Sequence, residues 1–107
     1  MAPRGRGTII FTGATASLRG GSGFSSFAAG KFALRALAQS MARELQPNGV
    51  HVVHVVIDGK IRDAGIAAND GTWMDPDEIA STYAGLYFQG NSNWTHELDM
   101  RPLKEKW

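Results

Sequence analysis

The chain of 107 residues contains no cysteine, which excludes a disulfide, a thiolate nucleophile and a thiolate ligand for zinc. It also lacks an excess of charge of either sign, since 11 Lys and Arg against 10 Asp and Glu leave a net charge of +1. That balance argues against nucleic acid or an anionic membrane as a partner. Apolar runs long enough for a signal peptide or a membrane span are missing as well. We therefore expect a cytoplasmic protein with no metal site.

A hydrophobic content of 43% with 20% charged residues is typical of a globular chain, and we expect one domain over residues 1–107. Residues 7–12 are β-branched and aromatic and predict a buried strand, and residues 14–23 predict a loop of small residues. Residues 25–45 predict a long helix, which Pro47-Asn48-Gly49 ends with a left-handed cap. Its apolar positions recur at helical spacing: Phe27, Leu34, Leu37, Ala38, Met41 and Leu45.

The second half of the chain predicts strand, helix and strand. The valine-rich run at 50–57 is typical of a strand buried on both faces of a parallel sheet, and residues 58–73 predict mostly loop. Asp75-Pro76-Asp77-Glu78 predicts the start of a shorter helix, with Asp75 as N-cap, and this helix ends near Gly90. Residues 94–100 alternate as a last, half-exposed strand does. The order predicts an α/β fold, a partial Rossmann-like βαβαβ unit with a three-stranded parallel sheet.

Phe27 and Lys31 lie four residues apart at the start of the long helix and so share one helix face. This pair has the outline of a Tyr-x-x-x-Lys active site from which the tyrosine hydroxyl has been removed. A lysine in that place lowers the pKa of a phenol and holds a sugar hydroxyl, whereas a phenyl ring has no proton to give.

With this pair, two further segments resemble a known family. They are Phe11-Thr12-Gly13-Ala14-Thr15-Ala16-Ser17-Leu18-Arg19-Gly20 and Trp94-Thr95-His96-Glu97-Leu98-Asp99. From about Gly7 to Trp107 the chain resembles the C-terminal half of a short-chain dehydrogenase/reductase, in a branch with phenylalanine at the active-site tyrosine position. The resemblance implies oxidoreductase ancestry and NAD or NADP as the cofactor of the family.

The same resemblance suggests site residues. Lys31 takes the position of the catalytic and ribose-binding lysine, and Ala14, thirteen residues before Phe27, takes that of the catalytic serine. The flanking Thr12 and Thr15 are candidate substitutes for that serine. Asp58 and Gly59 stand where the family places a Pro-Gly pair beside the nicotinamide, and they are the candidate cofactor-binding residues together with Lys31.

The glycine-rich turn that holds the cofactor diphosphate belongs to the half of the family fold that this sequence does not match. No cofactor is therefore expected for this chain alone, and the missing turn argues against reductase activity. A small-molecule substrate stays open.

Two other functions remain as alternatives. The first is a small hydrolase, an esterase or lactonase, that uses a loop serine such as Ser22 with a histidine such as His54, although Phe24 breaks the Gly-x-Ser-x-Gly motif. The second is a non-catalytic oligomerisation module. His51 and His54 are three apart on a strand and point to opposite faces, so they do not form a metal pair. His54 is expected in the core and His51 at a polar strand end.

Half of a dehydrogenase fold leaves surfaces uncovered. The first strand has an open edge, and the long helix exposes Leu34, Leu37 and Met41. We therefore expect a homo-oligomer that completes the fold through the first strand or the helix at 25–45.

Overall fold

Five regular elements form the core of the computed structural model, which describes residues 5–63 and 71–106. They alternate between strand and helix along the chain. Their bounds are β1, Gly7–Ala14; α1, Ser25–Leu45; β2, Val50–Ile57; α2, Pro76–Tyr87; and β3, Glu97–Met100.

The strands form one parallel sheet in the order β1-β2-β3. β1 pairs with β2 from Gly7 opposite Val50 to Ala14 opposite Ile57, and β3 joins the other side of β2. Every residue of the central strand is buried, as its valine-rich sequence predicts. The predicted α/β class, Rossmann-like βαβαβ order and three-stranded parallel sheet are confirmed.

Each face of β2 packs against a different helix. Alternate residues Val53, Val55 and Ile57 form one cluster with Leu86 of α2. On the other face, Val50 and Val52 contact Ala42 of α1. The period of two along the strand therefore divides the valines between two small cores.

The inward face of α1 differs from the predicted one. Its fully buried residues are Ala28, Ala38 and Ala42, whereas Phe27 is 52% exposed and Leu37 49% exposed. Small alanines let the helix lie close to the valines of β2, so larger side chains are turned outward. Of the three residues expected to be exposed, Leu37 is exposed, whereas Leu34 and Met41 are half-buried, Met41 against the Val50 and Val52 cluster.

Several predicted boundaries need correction. β1 runs two residues further than predicted, and a short 3-10 turn over Thr15–Ser17 follows it. β3 begins at Glu97 rather than at 94, since the side-chain carbonyl of Gln89 accepts the backbone N–H of Thr95 at 2.9 Å. The loop predicted at 58–73 holds one isolated bridge, between Ile61 and Met74, and its residues 64–70 lie outside the described part of the chain.

The end of α1 and the start of α2 follow their sequence signals, whereas α2 ends at Tyr87 rather than near Gly90. Gly49 has φ of 84°, the left-handed conformation that glycine adopts without steric cost. Asp75 accepts the backbone N–H of Asp77 at 3.0 Å and so caps α2, as predicted. Within the residues described, neither helix is long and apolar enough to cross a membrane.

Candidate functional site

A cleft of about 620 Å³ opens at the carboxyl ends of β1 and β2. Ala14 ends β1, Ile57 ends β2, and Gly59 follows in the next loop, while Phe27 reaches the cleft from the first turn of α1. Ligands of open parallel sheets bind at this end, because loops and helix starts converge there. The volume lies within the range of small-molecule pockets.

Phe27 and Lys31 lie close together, as their spacing on α1 predicts. The Nζ atom of Lys31 is 5.6 Å from the centroid of the Phe27 ring, within the range of a cation–π contact. The ring lines the cleft, but it offers neither a proton donor nor an acceptor. At the position of Ala14 only a methyl group faces the same space.

Thr15 and Asp58 are joined directly. The Thr15 hydroxyl donates a hydrogen bond to Oδ1 of Asp58, whose residue is 4% exposed. On the other carboxylate oxygen, Oδ2, the Nη2 atom of Arg101 lies 3.3 Å away and that of Arg19 lies 3.9 Å away. Thr15 therefore lines the cleft while its hydroxyl proton is donated to Asp58.

Thr12 lies apart from this group. Its hydroxyl is 2.6 Å from the phenolic oxygen of Tyr83 on α2, and either oxygen can be the donor. Thr12 does not line the cleft. Of the two threonines that flank Ala14, only Thr15 is placed to act there.

The structure does not bring Ser22 and His54 together. Ser22 lies in an exposed turn before α1, whereas His54 is fully buried in β2. The Nδ1 atom of His54 is 3.0 Å from Oε2 of Glu97, so the ring serves the core. A serine–histidine pair of the hydrolase kind is not formed by these two residues.

A polar network joins α1 to the two strands β2 and β3. Arg35 of α1 donates two hydrogen bonds to Glu97 of β3, at 2.9 and 3.0 Å, and His54 bonds the same carboxylate. Burial raises the pKa of Glu97, but the hydrogen bonds and charges of Arg35 and His54 outweigh it and hold that pKa below its ordinary value. Three elements are thereby tied together.

Gly13, the second-last residue of β1, lies directly against His54 of this network. A Cβ atom at this position would lie 2.2 Å from Nε2 of His54 and 2.5 Å from Oγ of Ser17. Ser17 in turn accepts the backbone N–H of Ala14 at 3.0 Å. The backbone before Ala14 is therefore set by side chains that leave no room for a methyl group.

Residues 1–73 match the family model described as short chain dehydrogenase. The chain belongs to the short-chain dehydrogenase family. No curated protein matches it.

Solved structures of short-chain dehydrogenases superpose well on the chain. One from Rhodopseudomonas palustris is 51% identical with a TM-score of 0.78, over 95% of this chain and 41% of that one. An acetoin dehydrogenase from Salmonella typhimurium is 25% identical, with a TM-score of 0.77, over 92% of this chain and 43% of its own.

An alcohol dehydrogenase from the archaeon Thermococcus sibiricus, in complex with 5-hydroxy-NADP, is similar in fold. It is 21% identical with a TM-score of 0.80, and the match covers 98% of this chain and 45% of that one. The chain thus spans less than half the length of these relatives.

The connection that follows β1 differs from the turn that holds a dinucleotide diphosphate. A diphosphate site needs a strand that passes through a tight glycine-rich turn directly into a helix. Here β1 is followed by the 3-10 turn Thr15–Ser17 and an exposed loop before α1 begins at Ser25. Of the connection between β2 and α2, the structure describes residues 58–63 and 71–75, which are joined by the Ile61–Met74 bridge.

Two partners of the candidate residues and the burial of one histidine were not predicted from the sequence. Arg101 and Tyr83 gave no signal as partners of Asp58 and Thr12, because each pair is joined only by the fold. His51 was expected at a polar strand end, but it is 1% exposed and stacks on Trp94 at 4.7 Å between ring centroids. The stacking replaces the solvent that a strand-end histidine would otherwise contact.

Proposed function

We propose that this chain carries the substrate-side half of a short-chain dehydrogenase site that binds a small molecule but does not, on its own, transfer hydride. The cleft supplies a recess at the carboxyl end of the sheet with Lys31 nearby. Phe27 stands at the tyrosine position of the family and Ala14 at the serine position, and both lack a hydroxyl. Losing a general acid typically lowers a rate by about 10²–10⁴.

One observation carries this proposal. Thr15 is the hydroxyl residue that lines the cleft among the residues described, and its proton is donated to Asp58. A carbonyl group in the cleft therefore meets no hydroxyl proton from Phe27, Ala14 or Thr15. Gly59 lines the cleft and Asp58 precedes it, at the positions where the family has a Pro-Gly pair beside the nicotinamide. The glycine-rich turn for the diphosphate belongs to the half of the family fold that this sequence does not match.

We expect no saturable binding when the chain is titrated with NADH or NADPH. Without a turn for the diphosphate, Lys31 alone contributes too little to hold a dinucleotide, since a single exposed charge pair is worth about 1 kcal/mol or less. Isothermal titration calorimetry measures binding, and the fluorescence of the reduced nicotinamide gives a second, independent readout.

The matched control is Lys31→Ala, which leaves the cleft lining unchanged. A micromolar dissociation constant that this substitution weakens would contradict the proposal. So would oxidation of bound NADPH by the unsubstituted chain.

A second function, assembly with another copy, is favoured by the exposed apolar side chains. Phe32 is 41% exposed and Leu37 49% exposed on α1, and β1 has a neighbour on only one side among the strands described. We propose that copies of the chain associate through α1 or through the edge of β1. Burial of these side chains would remove apolar surface from water.

We expect the chain to elute from gel filtration above its monomer mass of 11.5 kDa, and Leu37→Glu to shift it toward the monomer. A carboxylate placed in an apolar interface must be desolvated, and burying a charge costs roughly 1.4 kcal/mol or more. This cost should weaken association at least tenfold.

Arg43→Glu is the matched control, because Arg43 is exposed on the last turn of α1 and its loss should leave the elution unchanged. A concentration-independent monomer in both the unsubstituted chain and the variants would show that these faces do not associate.

A further inference from the structure

The lining of the cleft is mostly apolar but carries one accessible cation. Ala14, Ile57 and the rings of Phe24 and Phe27 supply its apolar walls, and Phe24 is 60% exposed. Arg19 lies on the same wall and also borders a smaller cavity of about 180 Å³ that contains Asp58. The cleft is therefore suited to a ligand that is apolar over most of its surface and charged at one end.

The guanidinium of Arg19 lies near a carboxylate, but its N–H donors are not used in hydrogen bonds within the described residues. Its Nη2 atom is 3.9 Å from Oδ2 of Asp58, which is too far for a hydrogen bond, and its side chain is 55% exposed. Within the described residues its side chain makes no hydrogen bond. Asp58 is meanwhile satisfied by Thr15 and by the closer Arg101. The attraction of Asp58 thus holds Arg19 beside the cleft, while its donors stay available.

The surrounding charges select the kind of anion. Glu105 lines the same cleft as Arg19, whereas the charge of Asp58 is already paired with Arg101. Glu105 would repel a dianion more strongly than a single negative charge. A carboxylate carries a single charge, and its two oxygens match the paired N–H groups of an arginine.

We propose that Arg19 is the anchor of a carboxylate subsite, and that the cleft binds an apolar organic acid with its ring or chain against Phe24 and Phe27. This inference rests on the proposed function, because it names the ligand class of the same cleft. It adds a determinant, Arg19, that the resemblance to dehydrogenases does not assign.

Isothermal titration calorimetry of the 107-residue chain at pH 7 tests the subsite with three probes that share one ring system: 1-naphthoate, 1-naphthalenemethanol and 1-naphthyl phosphate. We expect 1-naphthoate to bind about tenfold more tightly than the neutral alcohol, the gain of a charge-assisted bidentate contact at a partly exposed site. The phosphate should bind more weakly than the carboxylate.

Variants assign the effect to its residue. Arg19→Ala should remove the preference for the carboxylate and leave alcohol binding unchanged, whereas Arg19→Lys should keep part of the preference. Glu105→Gln should strengthen binding of the carboxylate, because a repelling charge is removed. Arg43→Ala is the matched control and should change none of the three affinities, and circular dichroism verifies that each variant is folded.

The outcomes separate the two proposals. Equal affinity for the acid and the alcohol, unaffected by Arg19→Ala, would overturn the carboxylate subsite while keeping the cleft as a ligand site. No binding of any probe would overturn the small-molecule site itself. Tightest binding of the phosphate would show that the subsite prefers a dianion and would refute the role given to Glu105.

Discussion

Replacing Gly13 with alanine is expected to lower the free energy of unfolding by about 2–3 kcal/mol, in the range of overpacked buried sites. The added methyl group would overlap the ring of His54 and the hydroxyl of Ser17, both of which are fully buried. Relief requires that β1 move away from β2 or that His54 leave Glu97. Urea denaturation followed by circular dichroism measures the change.

Gly30→Ala provides the matched control, because nothing lies within 4 Å of the Cβ position of Gly30 on the exposed side of α1. In a helix interior this change is expected to stabilise by about 0.5–1 kcal/mol. If both substitutions gave the same stability, the close approach of β1 to His54 would be wrong.

Replacing Glu97 with alanine is expected to cost about 2–3 kcal/mol, because the buried His54 and the half-buried Arg35 lose their shared acceptor. The loss is structural and should appear as a lower urea midpoint at pH 7. Asp99→Ala is the control on the same strand, since its side chain is 48% exposed and lies outside this network. Equal losses at the two positions would contradict the role of the network.

The same carboxylate makes stability depend on pH. Since the folded state holds the pKa of Glu97 below its ordinary value of 4.5, its ionisation stabilises the fold above that pH. The contribution disappears as the pH falls through the lowered pKa of the folded state. Glu97→Gln cannot ionise, so the stability gap between it and the unsubstituted chain should be widest near neutral pH and narrow in acid. A gap that stays constant from pH 7 to acid would show that ionisation of Glu97 does not contribute.

The order of elements was predictable from sequence because each carries a local signal. The valine run of β2 and the caps at Gly49 and Asp75 depend on neighbours within a few residues, and the bounds of α1 and β2 agree with the structure. The buried face of α1 was not predictable in this way. Phe27 and Leu37 continue the helical apolar period as well as the buried Ala38 does, and only the closeness of the sheet favours the smaller residue.

In the candidate site, too, local relations were predictable from the sequence, whereas long-range contacts were not. The closeness of Phe27 and Lys31 was predictable from their spacing on one helix. Ala14 was assigned to the serine position by the resemblance to the family. The partners of Thr15, Glu97 and Arg19 were not located, because they come from segments 39 to 62 residues away or approach only through side-chain rotamers. Long-range pairs of this kind carry no period in the sequence.

The central strand has a consequence for how this chain must be handled. The segment Val50–Ile57 has high β propensity and contains no proline and no acidic or basic residue other than two histidines. In the fold all eight of its residues are buried. Once released by heat or denaturant, such a segment favours intermolecular cross-β stacking over return to its place in the sheet. The yield of refolding should therefore rise as the protein is diluted. Aggregation of unfolded molecules should limit the recovery of the protein more than the equilibrium between native and unfolded forms does.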